Sequence, residues 1–371
     1  MELSSEDSLR LNVLINQDLQ AIRIDESKMI VHALTGRGEA KVPLNPTCRD
    51  DKYLRIVREM FSTHALGSPG GYPVFLRRWT RMGQMREESL EGLLILGEPE
   101  AIVAVANSTE LNEEVARRAW WAMPEADIAR RMLKSPQIVD SIIGKELAEF
   151  LVEFLPFEME AYDIVESVRL VLQPGLVDEP TVQSLWSRGA RKSAFYVGFL
   201  LAKPNELPEQ APANSNYEEL KNKLQELSVD NPYASLLLQI YSSEGQAFLT
   251  TIDKTMNKLS DQHVVVFFLE AIRNYFHALS ARSDNNFRGF GDIDSAVELA
   301  LADESNTYLN AVLNRTPEYR ELLTAIISLS CVCESLVDPI FSQTDAVGSV
   351  MRKRLQPVMQ PITQNIHRLM A

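Results

Sequence analysis

Residues 116–133 read ARRAWWAMPEADIARRML, and this stretch shows the unit from which we expect most of the chain to be built. Apolar residues recur at helical spacing on both sides of Pro124, whose ring ends one helix before the next begins. The triplet Ala-Arg-Arg starts at 116 and again at 129. Short helices separated by tight breaks are typical of antiparallel hairpins stacked side by side.

The helical period extends from residue 87 to the end of the chain. Two later stretches, 264–279 and 321–337, are apolar on nearly every side, which predicts helices in the middle of a bundle. Pro357 and Pro361 predict a C-terminal tail that is partly loose. Before residue 203 the period predicts helices at 87–96, 98–107, 110–123, 126–134, 136–155, 163–172, 179–191 and 193–202.

The first 86 residues differ from the remainder because they contain β-prone runs. A turn at Gly36-Arg37-Gly38 separates two of these runs, which predicts an antiparallel meander. A helix is expected at 51–65, and a further strand at 72–81. The three runs of the meander are 21–25, 29–34 and 39–44.

The predicted fold class is therefore mainly α, with a small N-terminal α+β unit that contains an antiparallel sheet. Stacked helical hairpins and a C-terminal helical bundle are expected to follow. A proline-rich linker is predicted where Pro204, Pro208 and Pro212 lie among polar residues. The predicted divisions are an α+β domain at 1–86, a helical-hairpin domain at 87–203, the linker at 204–216 and a helical domain at 217–371.

The net charge of the chain limits the classes of partner that it can bind. The 371 residues include 37 basic and 51 acidic ones, a net charge of −14, which disfavours binding to nucleic acid or anionic membrane. Between residues 49 and 86, however, eight basic residues accompany three acidic ones, which predicts one localised basic surface. The acidic N-terminus and three cysteines do not fit a signal peptide or a disulfide framework, so we expect a cytoplasmic protein.

Motifs that carry chemistry are missing from the sequence. It has no phosphate-binding glycine loop, no Gly-x-Ser-x-Gly elbow, no Cys-x-x-Cys pair and no histidines spaced i, i+4. We therefore predict no catalytic, cofactor-binding or metal-binding residue and no cofactor. An enzymatic activity stays open at this level, although the sequence favours a non-catalytic chain.

The most informative candidate for binding is the group Arg77, Arg78, Trp79 and Arg81. On a strand, Arg77, Trp79 and Arg81 would share one face, where guanidinium groups beside an indole can hold a planar or anionic partner. In the alternative interpretation, Trp79 packs in the core and the arginines pair with carboxylates.

A second group combines arginine and tryptophan on one helix. Trp120 and Trp121 are expected to pack against the next hairpin. Arg117 and Arg118 are expected to be solvated or to pair with carboxylates at 113 and 114.

The three cysteines are the candidate reactive thiols. Cys48, beside Arg49 in a polar loop, is predicted to be exposed and the better nucleophile. Cys331 and Cys333 fall in an apolar stretch, where they are predicted to be core residues of one helix. Two positions apart they would point about 200° from each other, which suits neither a disulfide nor a shared metal.

Three runs of sequence resemble the sulfur reduction protein DsrS family: LGSPGGYPVFLRRWTRMGQMR at 66–86, the stretch at 116–133, and VRLVLQPGLVD at 168–178. The resemblance covers residues 1–205. It implies a cytoplasmic accessory protein encoded with reverse dissimilatory sulfite reductase in sulfur-oxidising bacteria. No cofactor or catalytic motif of the family can be carried over to residues of this chain.

Two functions are thus expected, and a third is weaker. The first is a non-catalytic interaction protein of dissimilatory sulfur oxidation, whose partner is a protein of the sulfite reductase system. The alternative is a cysteine-dependent sulfur carrier or sulfur-handling enzyme that uses Cys48 or the Cys331/Cys333 pair. The third is regulatory nucleic-acid binding through the arginine-rich segment. The oligomeric state stays open.

Overall fold

The computed structural model describes residues 3–73, 87–277 and 287–371, with the backbone alone at 87–89. It is mainly helical with a small three-stranded antiparallel sheet near the N-terminus, which confirms the predicted fold class. The chain divides into two compact units, Met1–Phe154 and Leu155–Ala371. The division at 86, 203 and 216 stays a prediction. Residues 204–216 lie inside the second unit, where the Asn214 amide donates to the Tyr241 carbonyl at 2.9 Å.

The sheet of the first unit is the predicted meander. Strand β2 is central, and its register pairs Val31 with Ile24 on one side and with Val42 on the other. Alternate residues of β2 are buried, so one face of the sheet contributes to the core. The elements are α1 (Ser5–Ile15), β1 (Leu19–Asp25), β2 (Ile30–Thr35), β3 (Gly38–Pro43) and α2 (Asp50–Leu66).

Helix α1 is an element that the sequence did not predict. Its Asp7 side chain is fully buried and accepts hydrogen bonds from the Asn45 amide at 2.7 Å and from the Tyr53 hydroxyl at 2.5 Å. These bonds join α1 to the segment after β3 and to α2. Leu11 and Leu14 of α1 then enter the same hydrophobic core as the sheet.

Residues 87–154 of the first unit form six helices. The predicted helix at 136–155 is wrong in one respect, because the chain forms two helices there. Ser141 interrupts it: the Ser141 hydroxyl donates to the Ile138 carbonyl at 2.7 Å and accepts from the Gly144 amide at 3.3 Å. The helices are α3 (Glu87–Leu94), α4 (Pro99–Ala106), α5 (Glu113–Ala122), α6 (Ala126–Met132), α7 (Pro136–Val139) and α8 (Ile142–Phe154).

The second unit is a helical bundle. Four of its helices pack in a continuous series: Ser193–Ala202 packs against Gln262–Phe276, which packs against Arg320–Ser330, which packs against Gly348–Met370. Its helices are α9 (Ala161–Val171), α10 (Glu179–Arg188), α11 (Ser193–Ala202), α12 (Tyr217–Leu224), α13 (Pro232–Tyr241), α14 (Ser243–Met256), α15 (Gln262–Phe276), α16 (Phe290–Ala302), α17 (Thr307–Arg315), α18 (Arg320–Ser330), α19 (Asp338–Phe341) and α20 (Gly348–Met370).

The C-terminal tail is helical rather than loose. Helix α20 contains both Pro357 and Pro361. An interior proline removes a backbone hydrogen bond and costs about 3 kcal/mol or more. Full burial of a large aliphatic side chain contributes about 1.5–3 kcal/mol, and α20 fully buries a stripe of them, so the packing offsets the two prolines. The fully buried stripe consists of Met351, Leu355, Ile362, Ile366 and Leu369.

Candidate functional site

The predicted binding group, Arg77, Arg78, Trp79 and Arg81, lies outside the described residues. The strand predicted at 72–81 is wrong for its first two residues, because 71–73 are helical. The remainder of that strand also lies outside the described part of the chain.

The described part of the predicted basic surface is largely neutralised. Three arginines between residues 49 and 59 lie within ion-pair distance of a carboxylate, which lowers the positive potential they offer to a partner. The pairs are Arg49 with Asp51 at 3.1 Å, Arg55 with Glu59 at 3.4 Å, and Arg58 with Glu26 at 2.5 Å.

The two tryptophans of α5 pack in different directions. Trp120 packs against α8, as predicted for the next hairpin: its indole N–H donates to Glu146 at 3.0 Å, and Phe150 meets its ring edge-on. Trp121 instead packs on the sheet, where its indole N–H donates to Glu39 at 2.9 Å. The Arg23 guanidinium lies 5.3 Å from the Trp121 ring. These side chains join α5 to its neighbours and therefore have a structural role.

The arginines of α5 are paired, as one of the two predictions for them had it. Arg117 lies 2.9 Å from Glu113, and Arg118 contacts both Glu114 and Glu91. Their charges are thus balanced within the first unit.

The three cysteines differ in their surroundings. Cys331 and Cys333 are buried, as predicted, but they do not share a helix, because α18 ends at Ser330 and Cys333 has an extended backbone. Cys48 is half-buried rather than exposed, and it packs against the core of the first unit. The sulfur-carrier alternative stays a prediction.

The described residues contain neither a metal-binding cluster nor a membrane-spanning helix. Across residues 3–73, 87–277 and 287–371, no group of three or more histidine, cysteine, aspartate or glutamate side chains could hold a metal ion. Within the same ranges no helix combines the length and the apolar character needed to cross a bilayer.

The site with the most distinctive chemistry is a cleft of about 480 Å³ in the second unit. Four helices begin at its wall, namely α9, α11, α15 and α20. The Gly348 amide at the start of α20 donates to the Ser260 carbonyl at 2.8 Å, which ties α20 to the loop before α15. The volume of the cleft lies in the range of protein pockets that bind ligands.

One side of the cleft carries three basic side chains, Arg191, Lys192 and Lys258, which we call the cationic wall. The Lys258 ammonium donates to the Ala190 carbonyl at 3.3 Å, and the Ser193 hydroxyl donates to the Lys258 carbonyl at 2.8 Å. These bonds bring residue 258 beside 190–193. All three basic side chains are exposed, and no described carboxylate forms an ion pair with any of them.

Three carboxylates also line the cleft, so the formal charges balance. Asp261 is occupied as the N-cap of α15, because it accepts from the amides of His263 at 3.0 Å and Val264 at 3.1 Å. Glu160 and Asp345 are exposed, in the two segments that lie apart in sequence from the cationic wall. The cleft is thus lined by three exposed cations and three carboxylates, of which Asp261 caps a helix.

Exposed apolar side chains lie in the two segments that carry Glu160 and Asp345. Met159 and Val347 line the cleft although they are 90% and 65% exposed. Tyr162 lies close by, because its ring is 5.8 Å from that of His263, a lining residue. Phe157 and Val350 belong to the same two segments and are also exposed. We call these residues the apolar rim: Phe157, Met159, Tyr162, Val347 and Val350.

Sequence reasoning missed this cleft because four separate segments form it. They lie near residues 160, 192, 260 and 346, and no spacing rule connects them. The signal that was available is the pair Arg191-Lys192 directly before the apolar helix that begins at Ser193.

Comparison of the chain with protein-family models, with curated proteins and with solved structures finds no match in any of the three. The chemistry of the cleft is therefore the basis for proposing a function. Exposed cations and apolar side chains together can bind a partner that carries both an anionic and an apolar group.

Proposed function

We propose that this chain is a non-catalytic accessory protein that binds a protein partner through the cleft and its apolar rim. The observation that carries the proposal is the grouping of exposed apolar side chains beside a polar cleft. Single exposed apolar residues are ordinary on protein surfaces. A contiguous group bordered by polar residues is typical of an interaction site.

The chemistry of the rim supports a protein as the partner. Met159 is unbranched and flexible, so it can adapt its shape to an apposed surface. Tyr162 offers an aromatic face with a polar end, the type of side chain that is enriched where proteins meet. The charged residues within the cleft would then set the register of the partner.

The biological context of the proposal comes from the resemblance to the DsrS family. On that resemblance we propose a cytoplasmic location in a sulfur-oxidising bacterium, with a protein of the dissimilatory sulfite reductase system as the partner.

The test is binding to purified reverse dissimilatory sulfite reductase, measured by biolayer interferometry with this protein immobilised. The double variant Met159→Asp/Val347→Asp removes apolar contacts and adds charge at the rim. Burial of an apolar side chain contributes about 1.5–3 kcal/mol, so we expect the Kd to rise at least about tenfold. The control is Val229→Asp, at an exposed valine that does not line the cleft.

Two outcomes would count against the proposal. If the wild-type protein does not bind the reductase, the partner is wrong. If the rim variant binds as tightly as the Val229→Asp control, the surface is wrong. Circular dichroism of each variant establishes that the fold is retained.

A further inference from the structure

We propose that the cleft binds an acidic segment of the partner, with a glutamate or aspartate carboxylate against the cationic wall and an apolar neighbour against the rim. The inference rests on the proposed function and specifies the chemistry of the partner.

The first support is the state of the cations. Two half-buried lysines of the second unit are paired by contrast: Lys223 lies 2.7 Å from Glu219 and 2.8 Å from Glu318, and Lys254 lies 2.8 Å from Glu209. The three side chains of the cationic wall have no such partner among the described residues. The chain has a net charge of −14, yet these three neighbouring cations form no ion pair with a described carboxylate. They are therefore available to a carboxylate of a partner.

The second support is the backbone at the same place. Helix α11 begins at Ser193, directly after Arg191 and Lys192, and no side chain caps its N-terminus. The positive end of the helix dipole therefore adds to the potential of the three side chains. Both contributions favour an anionic group at this side of the cleft.

The carboxylates of the cleft select the kind of anion. Glu160 and Asp345, which also line the cleft, are exposed carboxylates in the two segments that carry the apolar rim. An extended polyanion such as a nucleic acid would meet these charges and be repelled. A short segment that places its carboxylate at the cationic wall and an apolar side chain at Met159 and Val347 avoids this repulsion. The cleft therefore fits an acidic and apolar peptide better than a polyphosphate backbone.

The probe is a short fluorescein-labelled peptide that alternates leucine and glutamate, with both ends blocked. A second peptide carries glutamine in place of glutamate, so it differs only in charge. Fluorescence anisotropy gives the Kd of each peptide for the full-length protein. We expect the glutamate peptide to bind at least about tenfold more tightly than the glutamine peptide.

The protein variant is Arg191→Gln/Lys192→Gln/Lys258→Gln. Its matched control is Lys145→Gln/Lys353→Gln/Arg354→Gln, which removes the same charge at exposed sites outside the cleft. Because exposed ion pairs are individually weak, loss of all three should weaken binding of the glutamate peptide about tenfold. The control triple variant should bind as the wild type does.

Several outcomes would overturn the inference. These are absence of binding to the glutamate peptide at about 1 mM protein, equal binding of both peptides, and equal binding by the two triple variants. Displacement of the peptide by inorganic phosphate, at ionic strength matched with sodium chloride, would assign the cleft to a free anion instead.

The failure of this inference can be told apart from that of the proposed function. If the cationic-wall variant still binds sulfite reductase with wild-type affinity, the acidic-segment inference is wrong and the proposed function stands. If the wild type binds the glutamate peptide but not the reductase, the partner is wrong and the chemistry of the cleft stands.

Discussion

Tyr53→Phe tests whether one buried hydrogen-bond cluster holds α1 on the first unit. The Tyr53 hydroxyl donates to Asp7 at 2.5 Å and accepts from the Ser4 amide at 3.1 Å. Burial, and then the bond to Asp7, raise the pKa of Tyr53, so the hydroxyl keeps its proton near neutral pH. The substitution removes that donor while the ring can stay in place.

The expected magnitude follows from the surroundings of Asp7. A hydrogen bond to a charged group contributes about 1.5–3 kcal/mol. After the substitution the buried carboxylate keeps the Asn45 amide at 2.7 Å and loses the Tyr53 hydroxyl. We therefore expect the free energy of unfolding to fall by about 2 kcal/mol.

The assay is urea-induced unfolding followed by circular dichroism, with hydrogen exchange of peptides from α1 as the local measurement. The transition midpoint should fall while its slope is unchanged, because the folded core is the same. The control is Tyr308→Phe at an exposed tyrosine, where we expect a change below about 0.5 kcal/mol. Equal stability of the two variants, or unchanged exchange in α1, would refute the reasoning.

Two further predictions concern a half-buried histidine of the sheet and a close contact between two helices. Burial and two cations on the adjacent strands hold the pKa of His32 below its ordinary value of 6.5. Folding therefore favours the neutral histidine. The stability that the neutral side chain contributes is lost as the pH falls below about 6.5. The urea midpoints at pH 7 and pH 5 should therefore differ less for His32→Gln than for the wild type. The control is His64→Gln at an exposed site, which should behave as the wild type does. An equal fall of the midpoint in His32→Gln and in the wild type would contradict the prediction. Gly198→Ala would place a Cβ 2.6 Å from Val168 Cγ1, so we expect a loss of about 1–2 kcal/mol in thermal unfolding. Gly291→Ala, whose Cβ meets nothing within 4 Å, should cause no loss, and equal stability of the two alanine variants would count against the packing argument.

Local signals were sufficient for most helices and for the sheet. Two helices begin at Pro99 and Pro136, and Pro124 lies between two others. The prolines therefore indicate where these helices begin or end. The β meander follows in the same way from alternation and from the turn before Gly38. These signals act over a few residues, which is why spacing alone reveals them.

Three features were missed because they depend on distant contacts. Helix α1 is held by Asp7, whose partner Tyr53 is 46 residues away. The end of α18 at Ser330 falls within an apolar run, so periodicity gave no indication of it. Helix α20 continues through two prolines because its buried stripe stabilises it.

The sequence by itself determined the fold class, the position of the sheet and the net negative charge, since composition and short-range spacing specify each of these. The tertiary structure alone decided which charges remain available. Arginines between residues 49 and 59 that look like a basic surface are paired, whereas Arg191, Lys192 and Lys258 form no ion pair with a described carboxylate in a cleft with exposed apolar neighbours. The physical reason is that ion pairing depends on distances of a few ångströms, and folding sets those distances between residues that are far apart in the chain.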